Sequence, residues 1–344
     1  MGIFILRADK MGLKSIVPKY ISYVVLSILV IGSFGGVYLL PFETGIREKI
    51  IIALSIFWAL ASHKIIRQLQ DPITKTIIKI ETNQKRLDKM DKIEKDLQIA
   101  TGIQTRLLPE KIPTTPNAKI ESKFIPSRGV SGDYYYFFQF SETKVGILIA
   151  DMVGKGVAAS YYMFVVHGLV KKCVNEQLAP KEILYKLNNL VYEERSLDKH
   201  VPLLYGVLDS EKGTFTYTNA GHEPWLHISE GKVIEKVPTN CSLGLGPNED
   251  FEEESISLKD GDRLFLYTDG LTDIKNSDGE RYGTDRLLEA VKHLNTTSIH
   301  TNSLLSNLIE GWFSYGEGSN ENDDDLAIIS VLYQPIEKFV PEEE

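Results

Sequence analysis

Four aspartates lie at the ends of apolar runs, and their placement constrains the fold more than any other feature of this chain. Asp133 follows Ser-Gly, Asp151 ends Ile-Leu-Ile-Ala, Asp269 follows Leu-Phe-Leu-Tyr-Thr, and Asp324 stands just before Asp-Leu-Ala-Ile-Ile-Ser-Val. A carboxylate at the end of a buried strand is held rigidly while its oxygens reach a cleft. Strand ends that meet at one point therefore form an oxygen-rich site, which suits Mg²⁺ or Mn²⁺ rather than zinc. Two such ions can activate water and hold a phosphoryl group.

The order of elements within residues 117–335 predicts an α+β fold. Strands are followed by two helices at 157–177 and 180–194, by a strand-rich region, by two more helices at 284–294 and 302–313, and by a last strand at 326–333. A doubly wound sheet would alternate strands and helices regularly. We therefore expect mostly antiparallel sheets covered by pairs of helices.

The N-terminal region contains two apolar runs. Residues 20–40 carry no charge and could cross a bilayer as a helix, and a second run at about 46–66 could span if its flanking charges reach the interfaces. Basic residues before the first run and after the second predict that both ends, including segment 1–19, are cytoplasmic. The sequence thus predicts a membrane hairpin at 20–66 and a multi-pass protein of the cytoplasmic membrane. A cleaved signal peptide for the first run, and a buried or interfacial helix for the second, are the alternatives.

Residues 71–108 show the spacing of a coiled coil. Ile73, Ile77, Ile80 and Leu87 recur at intervals of four and three, with Gln84 at one seam position. We expect a parallel homodimer through this linker helix, and a single amphipathic helix packed on the following domain is the alternative. The net charge of −9 argues against nucleic-acid binding. Residues 336–344 read as an acidic tail.

The ordered motifs of residues 100–333 resemble the PPM family of metal-dependent serine/threonine phosphatases, in its SpoIIE/RsbU-like branch. The matching segments are 103–109, 130–135, 149–156, 219–224, 243–246, 267–273, 282–287 and 324–327. The resemblance implies an αββα sandwich, over 117–335, with a two-metal site at one edge of its sheets. The full predicted architecture is this phosphatase domain preceded by the membrane hairpin and the coiled-coil linker.

The resemblance also implies roles for individual residues. Asp151 would bridge two Mn²⁺ or Mg²⁺ ions, with the backbone carbonyl of Met152 as a further ligand, and Asp269 would share the catalytic role of activating water. The remaining ligands would be Asp133 on one metal and Asp324, with Asp269, on the other. Residues expected around these ligands are Asp273, His222, Gly154 and Lys155. His222 could act as a general acid or could hold its loop in place.

Two positions depart from the family pattern. Tyr136 stands where many relatives have a second aspartate, and Ala327 stands where a threonine usually follows the Asp-Asp pair. Either change could weaken the binding of a metal ion or loosen the loop that holds Asp324. Asp273 replaces a common glutamate, which is a mild change.

The sequence favours a membrane-anchored phosphoserine/phosphothreonine protein phosphatase that uses two metal ions and no protein nucleophile. The resemblance implies a phosphorylated anti-sigma-factor antagonist of the STAS type as the substrate protein in bacterial signalling by partner switching. The alternative is a non-catalytic scaffold that uses the same fold to bind a partner. A membrane receptor with a ligand-binding C-terminal domain has no motif in its favour.

Overall fold

The computed structural model describes residues 17–39, 41, 43–127, 129–174, 178–194, 200–297, 304–316 and 324–335. Most of the predicted segment 1–19 and the whole acidic tail 336–344 therefore lie outside the described residues. The chain forms two compact units, residues 1–94 and residues 95–344. Two helices come first along the chain, α1 (Val17–Leu39) and α2 (Thr44–Thr105). Helix α2 runs through Pro72 and includes most of the segment predicted as the coiled coil.

The predicted membrane hairpin is wrong. Within the described parts of the chain, no helix combines the length and the apolar character needed to cross a bilayer. In the second run, the uncharged stretch between Lys49 and Lys64 is shorter than the roughly 20 residues that a spanning helix requires. It forms part of the 62-residue helix α2 rather than a helix of its own. The prediction of a multi-pass protein of the cytoplasmic membrane falls with the hairpin.

The second unit contains two five-stranded sheets. The first has the order β1-β10-β9-β6-β7 and the second has the order β2-β3-β4-β5-β8. All strand pairings within these sheets are antiparallel. The strands are β1 (Ala118–Ile125), β2 (Asp133–Gln139), β3 (Lys144–Asp151), β4 (Leu203–Asp209), β5 (Thr214–Ala220), β6 (Trp225–Ser229), β7 (Lys232–Lys236), β8 (Glu254–Ser257), β9 (Arg263–Tyr267) and β10 (Leu326–Tyr333).

Among the described residues of the second unit, five helices accompany the sheets. They are α3 (Val157–Val174), α4 (Pro180–Glu193), the single turn α5 (Gly270–Asp273), α6 (Gly283–Thr297) and α7 (Leu304–Gly316). Helix α4 begins at Pro180, because a proline lacks the N–H that the first turn cannot pair and has a φ suited to a helix. The Glu182 side chain accepts a hydrogen bond from the Ala179 N–H at 3.0 Å and stabilises the same end.

Strand β9 shows how the layers are built. Its side chains alternate between the two faces of the sheet, as strand geometry requires. Leu264 and Leu266 pack in one core with Ile147 of the other sheet, whereas Phe265 and Tyr267 pack in a second core with the helices α6 and α7. Residues of α3 and α4 join the first core from the opposite side. The layers are therefore helix, sheet, sheet and helix, as the α+β prediction requires.

Antiparallel pairing brings the aspartate-bearing ends together. Strand β2 begins at Asp133 and β3 ends at Asp151, so two neighbouring strands of one sheet present carboxylates at the same edge. Asp269 follows β9 by two residues, and Asp324 precedes β10 by two residues. Because β9 and β10 are antiparallel neighbours, these two residues also lie at one edge, that of the other sheet. Each sheet thus supplies one pair of carboxylates.

Candidate metal centre

The carboxylates at the two sheet edges lie close enough to repel one another, and together with Asp273 we call them the carboxylate cluster: Asp133, Asp151, Asp269, Asp273 and Asp324. Asp133 and Asp151 are direct partners in the register of β2 and β3. Carboxylate oxygens of Asp269, Asp273 and Asp324 all lie within 4.8 Å of one another, an arrangement that could hold a metal ion. Asp269 and Asp324 both raise the pKa of Asp151 by repulsion, so the two pairs also act on each other.

Burial and mutual repulsion disfavour the ionised forms of Asp133, Asp151 and Asp269 when no cation is bound. Burial is the first cause for Asp151, followed by the charges of Asp269 and Asp324, and its pKa rises to about 8. The pKa of Asp269 rises to about 6, first through burial and then through Asp324. Burial, with repulsion from Asp151, also holds the pKa of Asp133 well above its usual range. A cation at this site would remove the repulsion and favour the ionised forms.

The donor set fits a hard divalent cation. Four aspartates from two sheets converge, each with two acceptor oxygens, and carboxylate oxygen is the ligand type that Mg²⁺ and Mn²⁺ prefer. Met152, the further predicted ligand, follows Asp151 directly and its backbone carbonyl faces Gly132. A Cβ on Gly132 would lie 3.0 Å from the Met152 carbonyl oxygen and 2.9 Å from the Cβ of Ala159. Glycine is therefore needed in Ser-Gly-Asp133 because the loop passes too close to Met152 for a side chain.

Thr268 holds Asp133 in place from the opposite sheet. Its hydroxyl donates a hydrogen bond to Oδ2 of Asp133 at 2.6 Å and accepts one from the backbone N–H of Ala327 at 2.9 Å. Thr268 and Asp133 are both buried. This contact joins β9 and β10 to β2, and it lowers the pKa of Asp133 against the effect of burial. Thr268 was not among the predicted site residues, although it stands directly before Asp269.

Asp325 forms a second link between the sheets. Its Oδ1 accepts hydrogen bonds from the N–H and the hydroxyl of Ser127 at 2.7 and 3.0 Å, and its Oδ2 accepts one from the N–H of Gly132 at 2.9 Å. The backbone of Asp325 also packs against Gly270, where a Cβ would lie only 1.8 Å from the Asp325 carbonyl oxygen. In the pair Asp324-Asp325, the first residue faces the cluster and the second holds the loop before Asp133.

Gln104, near the end of α2, holds the same loop from another side. Its Nε2 donates to the carbonyl oxygen of Ser131 at 2.6 Å, and its Oε1 accepts from the N–H of Ser131 at 2.9 Å. Gln104 is only 2% exposed, so both bonds are shielded from water. The helix end is therefore coupled to the residues that carry Asp133. Gln104 lies within a segment that the sequence matched to the phosphatase family, but its role was not predicted.

The residues predicted around the ligands occupy different positions. Asp273, in α5, belongs to the carboxylate cluster and also contacts Nη1 of Arg281 at 2.9 Å. The Nζ atom of Lys155 lies 2.6 Å from Oδ2 of Asp324, which places a positive charge at the rim of the cluster. Gly154 precedes Lys155 in the loop between β3 and α3. Glu223 was not among the predicted site residues, and its charge raises the pKa of both Asp151 and Asp269 by repulsion.

The backbone of His222 helps to close the loop after β5. Its backbone N–H donates to the side-chain oxygen of Asn219 at 2.9 Å, which closes the turn after β5. The ring is buried, and burial lowers the pKa of His222 to about 4. The imidazole is therefore neutral at pH 7 and has no acidic proton to give to a leaving group. This geometry supports the structural alternative of the two that the sequence left open.

The two departures from the family pattern lie away from the ligand oxygens. Tyr136 is three residues after Asp133, so its side chain lies on the opposite face of β2, where it contacts Lys171 and the His167 ring. Ala327 is fully buried, and its backbone N–H binds the Thr268 hydroxyl. Thr268 thus supplies a hydroxyl beside Asp133 although position 327 has none.

Comparison with known proteins places these residues in a family context. The family described as Stage II sporulation protein E (SpoIIE) matches residues 141–334. Phosphoserine phosphatase RsbU of Bacillus subtilis (strain 168) is 28% identical over 201 residues, which cover 57% of this chain and 60% of RsbU. Phosphoserine phosphatase RsbP of the same organism is 28% identical over 185 residues, which cover 52% of this chain and 46% of RsbP. The matches thus span less than two thirds of either relative.

A solved structure supports the fold. The SiaA-PP2C domain of Pseudomonas aeruginosa superposes with a TM-score of 0.63 at 20% identity, and the match covers 72% of this chain and 99% of that domain. The two-sheet architecture described above is therefore the PP2C-like phosphatase fold.

Proposed function

Because this chain belongs to the SpoIIE family, we propose that it is a metal-dependent protein phosphatase acting on phosphoserine or phosphothreonine. The observation that carries the proposal is the meeting of Asp133, Asp151, Asp269 and Asp324 at neighbouring edges of the two sheets. Burial and repulsion between these carboxylates raise the pKa values of Asp133, Asp151 and Asp269. Such a cluster is costly to a fold unless a cation occupies it. The two Bacillus relatives named phosphoserine phosphatase support the choice of reaction.

The residues would divide the ligand positions as follows. Asp151 would be shared by two Mn²⁺ or Mg²⁺ ions, Asp133 and the Met152 carbonyl would serve one, and Asp269 and Asp324 would serve the other. When bound, two such cations supply an activated water for in-line attack on phosphorus and neutralise charge on the phosphoryl oxygens. Thr268 and Asp325 keep the two sheet edges at a constant separation, which pre-organises the ligands. This chemistry needs no protein nucleophile.

The proposed substrate is a phosphorylated antagonist of an anti-sigma factor, of the STAS type, in a bacterial partner-switching pathway. The similarity to RsbU and RsbP supports this class of substrate.

We also propose that the chain forms a homodimer through residues 71–108. Ile77, Ile80, Leu87, Met90 and Ile93 are between 48% and 65% exposed along α2. Met90 and Ile93 step by three residues each and depart from the heptad. Ile77, Ile80 and Leu87, with Gln84 between them, keep heptad spacing on one helix face, which is typical of a coiled-coil seam. A second copy of α2 would cover them.

Hydrolysis of p-nitrophenyl phosphate and of a phosphoserine protein by the full chain tests the proposal. We expect turnover that requires Mn²⁺ or Mg²⁺ and that disappears in Asp151→Asn and Asp269→Asn. Asp260→Asn is the matched control, because Asp260 is an exposed aspartate that also precedes a glycine. Wild-type turnover in both site variants would contradict the assignment. A folded, metal-binding wild type without activity on either substrate would instead favour the non-catalytic scaffold.

A further inference from the structure

Helix α3 is apolar on both of its faces. Its inner face is buried against the sheet through Ala159, Met163, Val166 and Val170. Its outer face carries Val157, Ala158, Tyr161, Val165 and Gly168, and we call these five residues the outer stripe. Val157 is 63% exposed and Tyr161 is 48% exposed. The first charged residue of the helix is Lys171, near its end. A helix that is apolar all round is normally covered on both sides.

The outer stripe begins beside the metal centre. Val157 follows Lys155 by two residues, and the Lys155 amine lies 2.6 Å from Oδ2 of Asp324. The first turn of α3 also packs against the loop that ends in Asp133, because the Ala159 Cβ would lie 2.9 Å from a Cβ on Gly132. A protein that brings a phosphoserine to the carboxylate cluster therefore has the outer stripe directly beside it.

The size of the outer stripe favours a transient partner. From Val157 to Gly168 a helix is about 17 Å long and about 10 Å wide, which gives a face of roughly 170 Å². A stable interface needs about 800 Å² from each partner. The stripe is too small to hold a second copy of the chain by itself, but it suits an enzyme–substrate encounter in which one or two aromatic or aliphatic anchors supply most of the binding energy.

We propose that the outer stripe docks the phosphorylated substrate protein, through an uncharged apolar patch that surrounds its phosphoserine. The inference rests on the proposed phosphatase function and extends it to substrate selection. An apolar stripe selects a folded surface rather than a charged peptide sequence. A small phosphate ester reaches the carboxylate cluster without touching the stripe, so its hydrolysis does not depend on these side chains.

The test compares the hydrolysis of three substrates by the full-length chain. They are a phosphorylated STAS-domain protein, a short phosphoserine peptide cut from it, and p-nitrophenyl phosphate, all with saturating Mn²⁺. The variant is Val157→Thr combined with Tyr161→Ser, which removes apolar surface from exposed positions without adding charge. The matched control is Phe313→Ser, because Phe313 is 48% exposed on α7, in the other helix layer. We expect kcat/KM for the protein to fall about tenfold, mainly through KM. Hydrolysis of p-nitrophenyl phosphate should stay within about twofold, and the control should match wild type throughout.

Three outcomes would overturn the docking role. Unchanged kcat/KM for the phosphoprotein in the double variant would show that the outer stripe does not contact this substrate. The proposed phosphatase function would still stand in that case, because the wild-type chain would hydrolyse the substrate. An equal loss on all three substrates would show that the stripe supports the metal loop instead. A shift from dimer to monomer in sedimentation of the double variant would assign the stripe to a second copy of the chain. A wild type that is inactive on every substrate would refute the phosphatase function itself.

Discussion

Replacing Asp151 with asparagine should stabilise the metal-free protein, and more so at high pH. The pKa of Asp151 rises from 3.8 to about 8 in the folded chain, chiefly through burial and then through Asp269 and Asp324. Below pH 3.8 the carboxyl is protonated in both the folded and the unfolded states. As pH rises from about 4 to about 8, the unfolded chain ionises while the folded chain keeps its proton, so the free energy of unfolding falls.

The magnitude follows from the pKa difference. About four pH units at 1.36 kcal/mol each give an upper bound of roughly 6 kcal/mol at pH 8. Protonation of Asp133 or Asp269 relieves part of the same repulsion, so we expect about half of this value. Asparagine carries no charge, so the free energy of unfolding of Asp151→Asn should exceed that of wild type by about 3 kcal/mol at pH 8. At pH 5 the same reasoning gives less than about 1 kcal/mol.

Urea denaturation in EDTA at pH 5 and pH 8 measures this difference. A Trp58→Phe background leaves Trp225 and Trp312 as fluorescent reporters, and both are buried in the phosphatase domain. Added Mn²⁺ at 100 times its Kd should stabilise wild type by about 2.7 kcal/mol and should have little effect on Asp151→Asn. Asp260→Asn should behave as wild type in both conditions. If Asp151→Asn gains nothing at pH 8, or gains as much at pH 5, carboxylate repulsion does not govern this site.

Three further predictions concern contacts around the cluster. Thr268→Val keeps the shape of the side chain but loses the hydrogen bond to Asp133, so calorimetry should show Mn²⁺ affinity at least tenfold lower, and equal affinity would be the contrary result. The control is Thr216→Val, which removes a half-buried hydroxyl that pairs with Ser255 instead of a cluster residue. Gln104→Leu leaves the Ser131 N–H and carbonyl unpaired and should lower the free energy of unfolding by about 1–3 kcal/mol. Gln98→Leu, on the exposed side of the same helix, should lower it by less than about 0.5 kcal/mol, and equal effects would refute the coupling between the end of α2 and the Asp133 loop. The double variant Ile80→Asp, Leu87→Asp should be monomeric in sedimentation and should have altered turnover, whereas the control Thr82→Asp, Lys89→Asp, on the opposite side of α2, should change neither. A monomeric variant with wild-type kinetics would show that dimerisation through α2 does not affect catalysis.

The local signals in the sequence predicted most of the phosphatase fold. Turn residues and polar borders placed the short strands β6 and β7 at their observed bounds, and a continuous apolar run after the aspartates placed β10. Helix α6 begins one residue earlier and ends three residues later than predicted, as helix ends commonly vary, and the predicted end of α3 at 175–177 lies outside the described residues. The four aspartates were found because each borders a strand and because their neighbours match a family pattern.

Contacts between distant parts of the chain could not be read from the sequence. Thr268 binds Asp133 across 135 positions, and Asp325 binds Gly132 across 193. Neither hydrogen bond leaves a local pattern, and an Asp-Asp-Asp run does not show which carboxylate faces the cluster. The membrane prediction failed for another reason, since it joined apolar runs to charged flanks without evidence for a separate second helix. Helix α2 continues without a break from the second apolar run into the segment predicted as the coiled coil.

The most direct test of the metal centre is the number of Mn²⁺ ions that the full chain binds, measured by titration calorimetry. We expect about two ions for wild type, because Asp151 would be the ligand common to one ion held with Asp133 and another held with Asp269 and Asp324. Asp151→Asn should lose binding at both positions, and Asp260→Asn should bind as wild type does. Two ions bound with unchanged affinity in Asp151→Asn would contradict the central claim that this carboxylate unites the two sheet edges in one metal site.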